Sequence, residues 1–285
     1  MAGKISNFAK NEIIDHVLKG AVYTPKVTLY LCLCTADPTV TGTGTSITET
    51  DYAGYVRLSY TAGDYFSPAS ARKMAQDAII SFAVATGVST SNISHWCIVD
   101  AATLGNMLAF GAFTTPWNVV SGNTPKIASG AIEIEITATV ASAAGFTTIA
   151  ANKMLDHMFQ NTVWTIADGE IHFGLATTTL TDATTPATVV ETDAAGYARE
   201  PVAAALFQAA SGGANVNIIT DIAFDIPTGD STLTIKSLFV CDTLAGVHAT
   251  TDILIAYDNT NVVDQPFNTD DEVVVEVGNF TATLN

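Results

Sequence analysis

The sequence predicts a mainly β protein made of two tandem β-sandwich domains, each preceded by one N-terminal α-helix. Three observations carry that reading. The chain contains one long internal repeat. Each copy opens on a helical apolar stripe. Each then runs through a series of short segments rich in Val, Ile, Thr and aromatic residues, punctuated by Gly, Asn, Asp, Ser and Pro. One helix followed by several strands needs a sheet-on-sheet core with the helix laid against it.

The repeat is read from Glu49-Thr50-Asp51-Tyr52-Ala53-Gly54-Tyr55-Val56-Arg57, which returns as Glu191-Thr192-Asp193-Ala194-Ala195-Gly196-Tyr197-Ala198-Arg199. Seven of the nine positions are identical, and the offset is 142 residues (196 − 54). Upstream, Asn11-Glu12-Ile13-Ile14-Asp15-His16-Val17-Leu18 matches Asn152-Lys153-Met154-Leu155-Asp156-His157-Met158-Phe159. Downstream, Phe82 matches Phe224, and Cys97-Ile98-Val99-Asp100 aligns with Phe239-Val240-Cys241-Asp242. A period this long marks a duplicated domain and not a solenoid unit. The expected domains are 1–137 and 146–285, with a linker at 138–145, and each has enough residues for its own core.

The elements follow in order. Ser6 or Asn7 caps a helix running to about Lys19, and Gly20 closes it. Its apolar residues Ile13, Ile14, Val17 and Leu18 form one stripe, as do Met154, Leu155, Met158 and Phe159 in the second copy. Strands are expected at 27–35, 78–84, 93–99, 107–113 and 131–139. In the second copy they are expected at 170–177, 218–226, 232–241, 252–257, 272–277 and 280–284. The long segments 36–54 and 178–196 are expected to be ordered excursions, because both end in the repeated motif.

Composition narrows the function. The chain is 48% hydrophobic and 14% charged, with a net charge of −17; about 25% charged is usual. A surface of Thr, Ser, Ala, Asn and Gly loses little hydration on contact with other protein. Eleven basic residues in 285 cannot track phosphates, so neither nucleic acid nor an anionic membrane is an expected partner. No apolar run reaches the roughly 18 residues of a membrane-spanning helix. The N-terminal segment lacks the apolar core of a signal peptide. Cys32, Cys34, Cys97 and Cys241 read as small buried thiols held in a reducing cytoplasm, since Gly174 and Ala176 replace the first two in the second copy.

Each candidate site has a structural reading. Asp15-His16 and Asp156-His157 invite a dyad, but adjacent helical residues diverge by about 100°. Fixing the helix to the following turn is the preferred role. His95, His172 and His248 have no counterparts. In the repeated motif, Gly54 and Gly196 permit a positive φ. Tyr55 and Tyr197 bury a ring and offer a hydroxyl to the backbone. Arg57 and Arg199 can hold Asp51 or Glu49, and Asp193 or Glu191, in a bidentate pair. A loop-to-strand clamp is preferred over a ligand contact. The acidic cluster Asp264, Asp270, Asp271 and Glu272 reads as a solvated face and not a calcium site. No nucleophile elbow, metalloprotease helix, phosphate loop or dinucleotide fingerprint occurs. No catalytic, cofactor or metal residue is therefore assigned, and the protein is not expected to be an enzyme.

The order of pieces in the first copy is more specific. A helix carrying Asn11 to Leu18 leads to Tyr23-Thr24 and a strand ending Leu33-Cys34-Thr35-Ala36-Asp37-Pro38. Then come Gly54-Tyr55-x-Arg57, Asp100-Ala101-Ala102-Thr103-x-Gly105-Asn106-Met107-Leu108, and Gly111-Ala112-Phe113-Thr114-Thr115-Pro116. This order resembles a family of small tailed-bacteriophage virion proteins often labelled tail fibre or minor tail protein, here as a tandem duplication. The resemblance covers nearly all of 5–137 and, more weakly, 150–285. It implies a non-enzymatic structural role in the virion, after synthesis in the host cytoplasm. No heptad or short β-helical repeat marks a fibre shaft. The expected function is an accessory protein on the virion exterior, with capsid decoration or cement preferred over a tail or fibre position. Its expected partners are other virion proteins, major capsid or tail, and further copies of itself through oligomer or lattice contacts. The alternative is a receptor- or glycan-binding tail module.

Overall fold

The computed structural model describes residues 2–137, 144–166, 170–212, 215–225, 227–243, 253–260 and 265–284. Its elements in chain order begin with β1 (Lys4–Ile5), α1 (Asn7–Lys19), β2 (Thr28–Cys34), β3 (Leu58–Thr61), β4 (Lys73–Ala75) and β5 (Ile80–Ser81). The first copy continues with β6 (Ile93–Val99), β7 (Met107–Trp117), β8 (Lys126–Ile127) and β9 (Glu133–Glu135). The second copy has β10 (Ala144–Phe146), α2 (Thr148–Phe159), β11 (Ile171–Ala176), β12 (Glu200–Val202), β13 (Asn215–Asn217) and β14 (Ile222–Ala223). It closes with β15 (Thr234–Ile235), β16 (Ser237–Cys241), β17 (Leu254–Asp258), β18 (Gln265–Pro266), β19 (Val274–Val275) and β20 (Thr281–Thr283). The protein is mainly β, with two sheet-rich halves. Among the described residues no helix is long and apolar enough to cross a membrane.

Each half has the same principal sheet of five antiparallel strands. The orders are β1-β7-β6-β2-β3 and β10-β17-β16-β11-β12, which correspond position by position. The remaining strands pair two by two: β4 with β9 and β5 with β8 in the first half, and β13 with β20, β14 with β19 and β15 with β18 in the second. The central strands are buried on both faces. Along β2, Leu29, Leu31 and Leu33 lie on one face and Cys32 and Cys34 on the other, all at 0% exposure. This explains why β2 and β11 read as unbroken apolar runs and not as alternating ones. Over one face, Val40 and Ile47 of the first excursion pack on Cys32, Cys34, Cys97, Val99, Met107 and Phe110. Leu180 and Val189 do the same over Ala176, Phe239, Cys241, Leu254 and Tyr257.

Several expected strands are shorter than their apolar patterns. Only Ile80–Ser81 of 78–84 forms a ladder, and 232–241 splits into β15 and β16. Within 131–139 only Glu133–Glu135 is a strand, and 138–139 lie outside the described residues. Side-chain burial at these positions is supplied by loops as well as ladders, and periodicity does not distinguish the two. Of the expected linker 138–145, positions 138–143 lie outside the described residues, and Ala144 and Gly145 belong to β10.

Two compact units emerge. The first comprises Met1–Lys10, Thr24–Ile136 and Asn152–Val163, and the second Asn11–Tyr23, Thr137–Ala151 and Trp164–Asn285. Each unit therefore takes in the helix end encoded by the other sequence repeat. The helix starts stay at home. The Ser6 Oγ accepts the Ala9 N–H (3.1 Å) and donates to the Met107 carbonyl. Thr147 Oγ1 accepts Ala150 N–H (3.2 Å) and donates to Leu254 O. These are N-caps that also tie each helix to its sheet. Both helices end with a six-residue return bond, Ala21 N to Asp15 O (3.1 Å) and Thr162 N to Asp156 O (3.3 Å). Gly20 (φ 62°) and Asn161 (φ 52°) supply the left-handed residue that this ending requires.

Candidate functional site

The most densely bonded side chains are those of the repeated motif. Each excursion rejoins its sheet at a single bridge, Cys34 with Glu49 in one unit and Ala176 with Glu191 in the other. That bridge places the glutamate where a tyrosine and an arginine two residues apart can both reach it. In the first unit, Tyr55 Oη donates to Glu49 Oε2 (2.6 Å) and accepts the Leu33 N–H (3.1 Å). Arg57 donates to Glu49 Oε1 from Nε (2.9 Å) and Nη2 (2.7 Å). Its other hydrogens reach the carbonyls of Gly44 (2.6 Å), Ala101 (3.1 Å) and Leu104 (2.9 Å).

The second unit repeats the plan. Tyr197 Oη donates to Glu191 Oε2 (2.9 Å) and accepts the Leu175 N–H (2.8 Å). Arg199 reaches Glu191 Oε1 from Nη2 (2.7 Å), shares both carboxylate oxygens from Nε (3.2 Å each), and donates to Thr243 O (2.8 Å). Its guanidinium lies 5.4 Å from the centroid of the Phe239 ring. Burial, with the adjacent glutamate, pushes both tyrosine hydroxyls well above their ordinary range. They stay protonated and donate.

The arginine's partner is the glutamate, and the aspartate does separate work. Asp51 accepts the Thr90 backbone N–H (2.9 Å) and hydroxyl (2.5 Å). Asp193 accepts the Thr232 N–H (2.9 Å) and hydroxyl, and the Ser231 hydroxyl (2.6 Å). Gly54 (φ 94°) and Gly196 (φ 86°) turn the chain between aspartate and tyrosine. A Cβ at Gly54 would stand 2.9 Å from the Val84 carbonyl oxygen. The hydrogen bonds from Ser231 and Thr232 hold the Asp193 carboxyl down at about 2, and those from Thr90 lower Asp51. A carboxyl depressed in the folded state stabilises it above the usual value near ~3.9, and that contribution fades as pH falls toward about 2. Thermal melts of Asp193→Asn are therefore expected to depend less on pH than those of the parent across that interval; parallel curves would contradict the assignment.

The Asp-His pairs secure the helix ends within each unit. The Asp15 carboxylate accepts the Ala210 N–H (2.8 Å), and Lys19 Nζ donates to Phe207 O (2.7 Å). The Asp156 carboxylate accepts the Ala69 N–H (2.7 Å), and Gln160 Nε2 donates to Phe66 O (2.5 Å). His16 Nε2 donates to Trp164 O (2.8 Å) while its Nδ1 takes the Tyr23 N–H (3.3 Å). His157 Nδ1 lies 3.3 Å from Thr162 O. In neither pair does the structure bring aspartate and histidine together as a dyad.

The cysteines are free and buried. Cys34 and Cys97 Sγ atoms lie 3.7 Å apart, and Cys32 stands opposite Cys97 in the ladder. Hydrogen bonds from Cys32 and Cys34, together with burial, hold the Cys97 thiol well above its ordinary value. The second unit replaces the Cys32–Cys97 cross-strand pair with Gly174 opposite Phe239. A Cβ at Gly174 would lie 2.2 Å from that ring. Gly174→Ala is therefore expected to cost about 1–3 kcal/mol by overpacking. Gly174→Cys combined with Phe239→Cys should recover most of a single-site loss, read from urea midpoints. Of the acidic cluster, Asp264 lies outside the described residues, Asp270 and Glu272 are exposed, and Asp271 Oδ2 accepts the Asn268 N–H (2.8 Å).

The model of the family described as podophage GP4 fiber I protein gp80 matches twice, at residues 4–135 and 145–283. The chain belongs to the Gp80 family. It carries two Gp80 modules in tandem, and it is a phage structural protein and virion component. No curated protein matches the sequence. In Gp80 terms, what both modules share is the glutamate-centred clamp, the aspartate–threonine tie and the helix anchors. Two parts of that set were only half legible. Glu49 and Glu191 are the hubs of the clamp, and Ser89-Thr90 and Ser231-Thr232 form a second repeated pair at the same offset of 142 (231 − 89). The repeated Ser-Thr dipeptide was the available signal.

Proposed function

We propose that the chain is a non-enzymatic building block of the virion exterior, seated in or on the fibre apparatus and not tiled over the capsid. One observation carries the non-enzymatic part: the side chains common to both modules are committed to internal bonds. The glutamate is held by tyrosine and arginine, the aspartate by threonine, and the helix aspartate by a backbone amide. A group held this way positions backbone and is not poised to attack or to shuttle a proton. The family's description supports the fibre position. The low charge and doubled module suit oligomer or virion-protein contacts in either place. The hydroxyls of Tyr55 and Tyr197 serve the clamp and are not offered to a host receptor. Cryo-electron microscopy of virions, with antibody labelling of this chain, tests the placement. Density in the fibre or tail is expected; a regular array over the capsid would restore the decoration reading, and absence from the particle would remove both.

A further inference from the structure

Features shared by the two modules serve the fold, so features of one module alone are where added function is to be sought. One such feature, among the described residues, lies in the first unit. Strand β7 runs for 11 residues, whereas its counterpart β17 has five. Beyond Ala112 the ladder is irregular, with Ala112 opposite His95 and Trp117 opposite Ile93, and this stretch carries Phe113, Thr115 and Trp117. Those residues, with Thr114, Lys126 and Glu133, line an open cleft of about 390 Å³. That is within the range of small-molecule sites, roughly 300–1,000 Å³. Of the three tryptophans, Trp96 and Trp164 are buried and Trp117 alone is partly open. Its ring centroid lies 6.2 Å from that of Phe113 at an angle of 59°, so the two form a floor and a wall.

We propose that this cleft binds a neutral saccharide. An amphipathic ring such as tryptophan offers an apolar face to the C–H face of a sugar. The polar rim supplies both hydrogen-bonding senses. The Lys126 side chain is exposed and has no hydrogen bond or ion pair among the described residues. Glu133 Oε1 accepts from Lys73 Nζ (3.0 Å), and its Oε2 has no protein donor among the described residues. A donor and a carboxylate acceptor beside an aromatic floor suit vicinal hydroxyls, through charge-assisted hydrogen bonds. The net charge of −17 opposes a polyanionic chain. An added β-strand is a poor fit as occupant, because Pro116 interrupts the strand's hydrogen-bonding edge. The inference goes beyond the structural role and stands for either position on the virion.

The test uses the full chain on an array of neutral and anionic oligosaccharides. Binding to neutral oligosaccharides is expected, with acrylamide quenching of Trp117 reduced on addition of a bound sugar. Trp117→Ala should weaken binding at least tenfold. Thr115→Arg, at an exposed position, should block the cleft while leaving the melting temperature unchanged. Three results would overturn the proposal: no retention of any neutral sugar, retention of anionic glycans alone, or a folded Thr115→Arg protein that binds as the parent does.

Discussion

Arg199→Ala is expected to lower stability by about 3–5 kcal/mol, the cost of removing one partner from a buried ion pair. The side chains of Arg199 and Glu191 are 3% and 13% exposed. Deleting the guanidinium removes the charged partner of a carboxylate that Tyr197 also holds, and leaves the Thr243 carbonyl without its charged donor. At about 2–4 °C per kcal/mol for a unit of this size, the melting temperature should fall by roughly 6–20 °C. Arg57→Ala should cost less on the ion-pair term, since Arg57 and Glu49 are 9% and 21% exposed. Arg199→Lys should not rescue, because an ammonium cannot reproduce the two-oxygen fork. Replacing both partners, as in Arg199→Met with Glu191→Met, should cost less than either single change, since no charge is then stranded. Circular dichroism melts of these four variants and of the Arg199→Met and Glu191→Met single changes decide the matter. A loss under ~1 kcal/mol for Arg199→Ala would mean that the pair behaves as a surface one.

The clamp also shows what sequence can and cannot specify. The motif's identity, its two copies and the direction of Tyr55 and Arg57 along one side were legible, because i and i+2 residues of extended backbone share a face. Which carboxylate they meet was not. Glu49 and Asp51 are both within reach in sequence terms, and the choice is made by the bridge that seats Glu49 beside Cys34. The helix stripes were legible from periodicity, and the caps of the first helix from Ser6 or Asn7 and Gly20. The surface that each stripe covers was not, since amphipathicity gives a buried face without naming its partner. The cleft of the first unit was hidden for a third reason. Phe113 and Trp117 have the spacing of ordinary core residues, and only the length of β7 leaves them half open.

That undetermined partner leads to the largest effect expected of any change in this protein. A chain ending at residue 137 should not give a folded monomer. The first compact unit includes Asn152–Val163, and Met154, Leu155, Met158 and Phe159 are all at 0% exposure. At roughly 1.5–3 kcal/mol for each buried side chain, their removal forfeits about 6–12 kcal/mol. That is comparable to the whole stability of a typical domain, about 5–15 kcal/mol. The same truncation strands Ile13, Ile14, Val17 and Leu18, whose unit is the other one. Repeat symmetry offers one escape. Asp15 and Asp156 bind the matching amides of Ala210 and Ala69, and Lys19 and Gln160 bind the matching carbonyls of Phe207 and Phe66. Helix α1 of a second truncated chain therefore carries the groups needed to stand in for α2. Sedimentation and thermal melts of residues 1–137 should show either an unfolded chain or a dimer whose stability rises with concentration. A monomer with a cooperative melt would show that one sequence repeat closes its own core. In the intact chain no second molecule is needed, because the duplication supplies both helices at once.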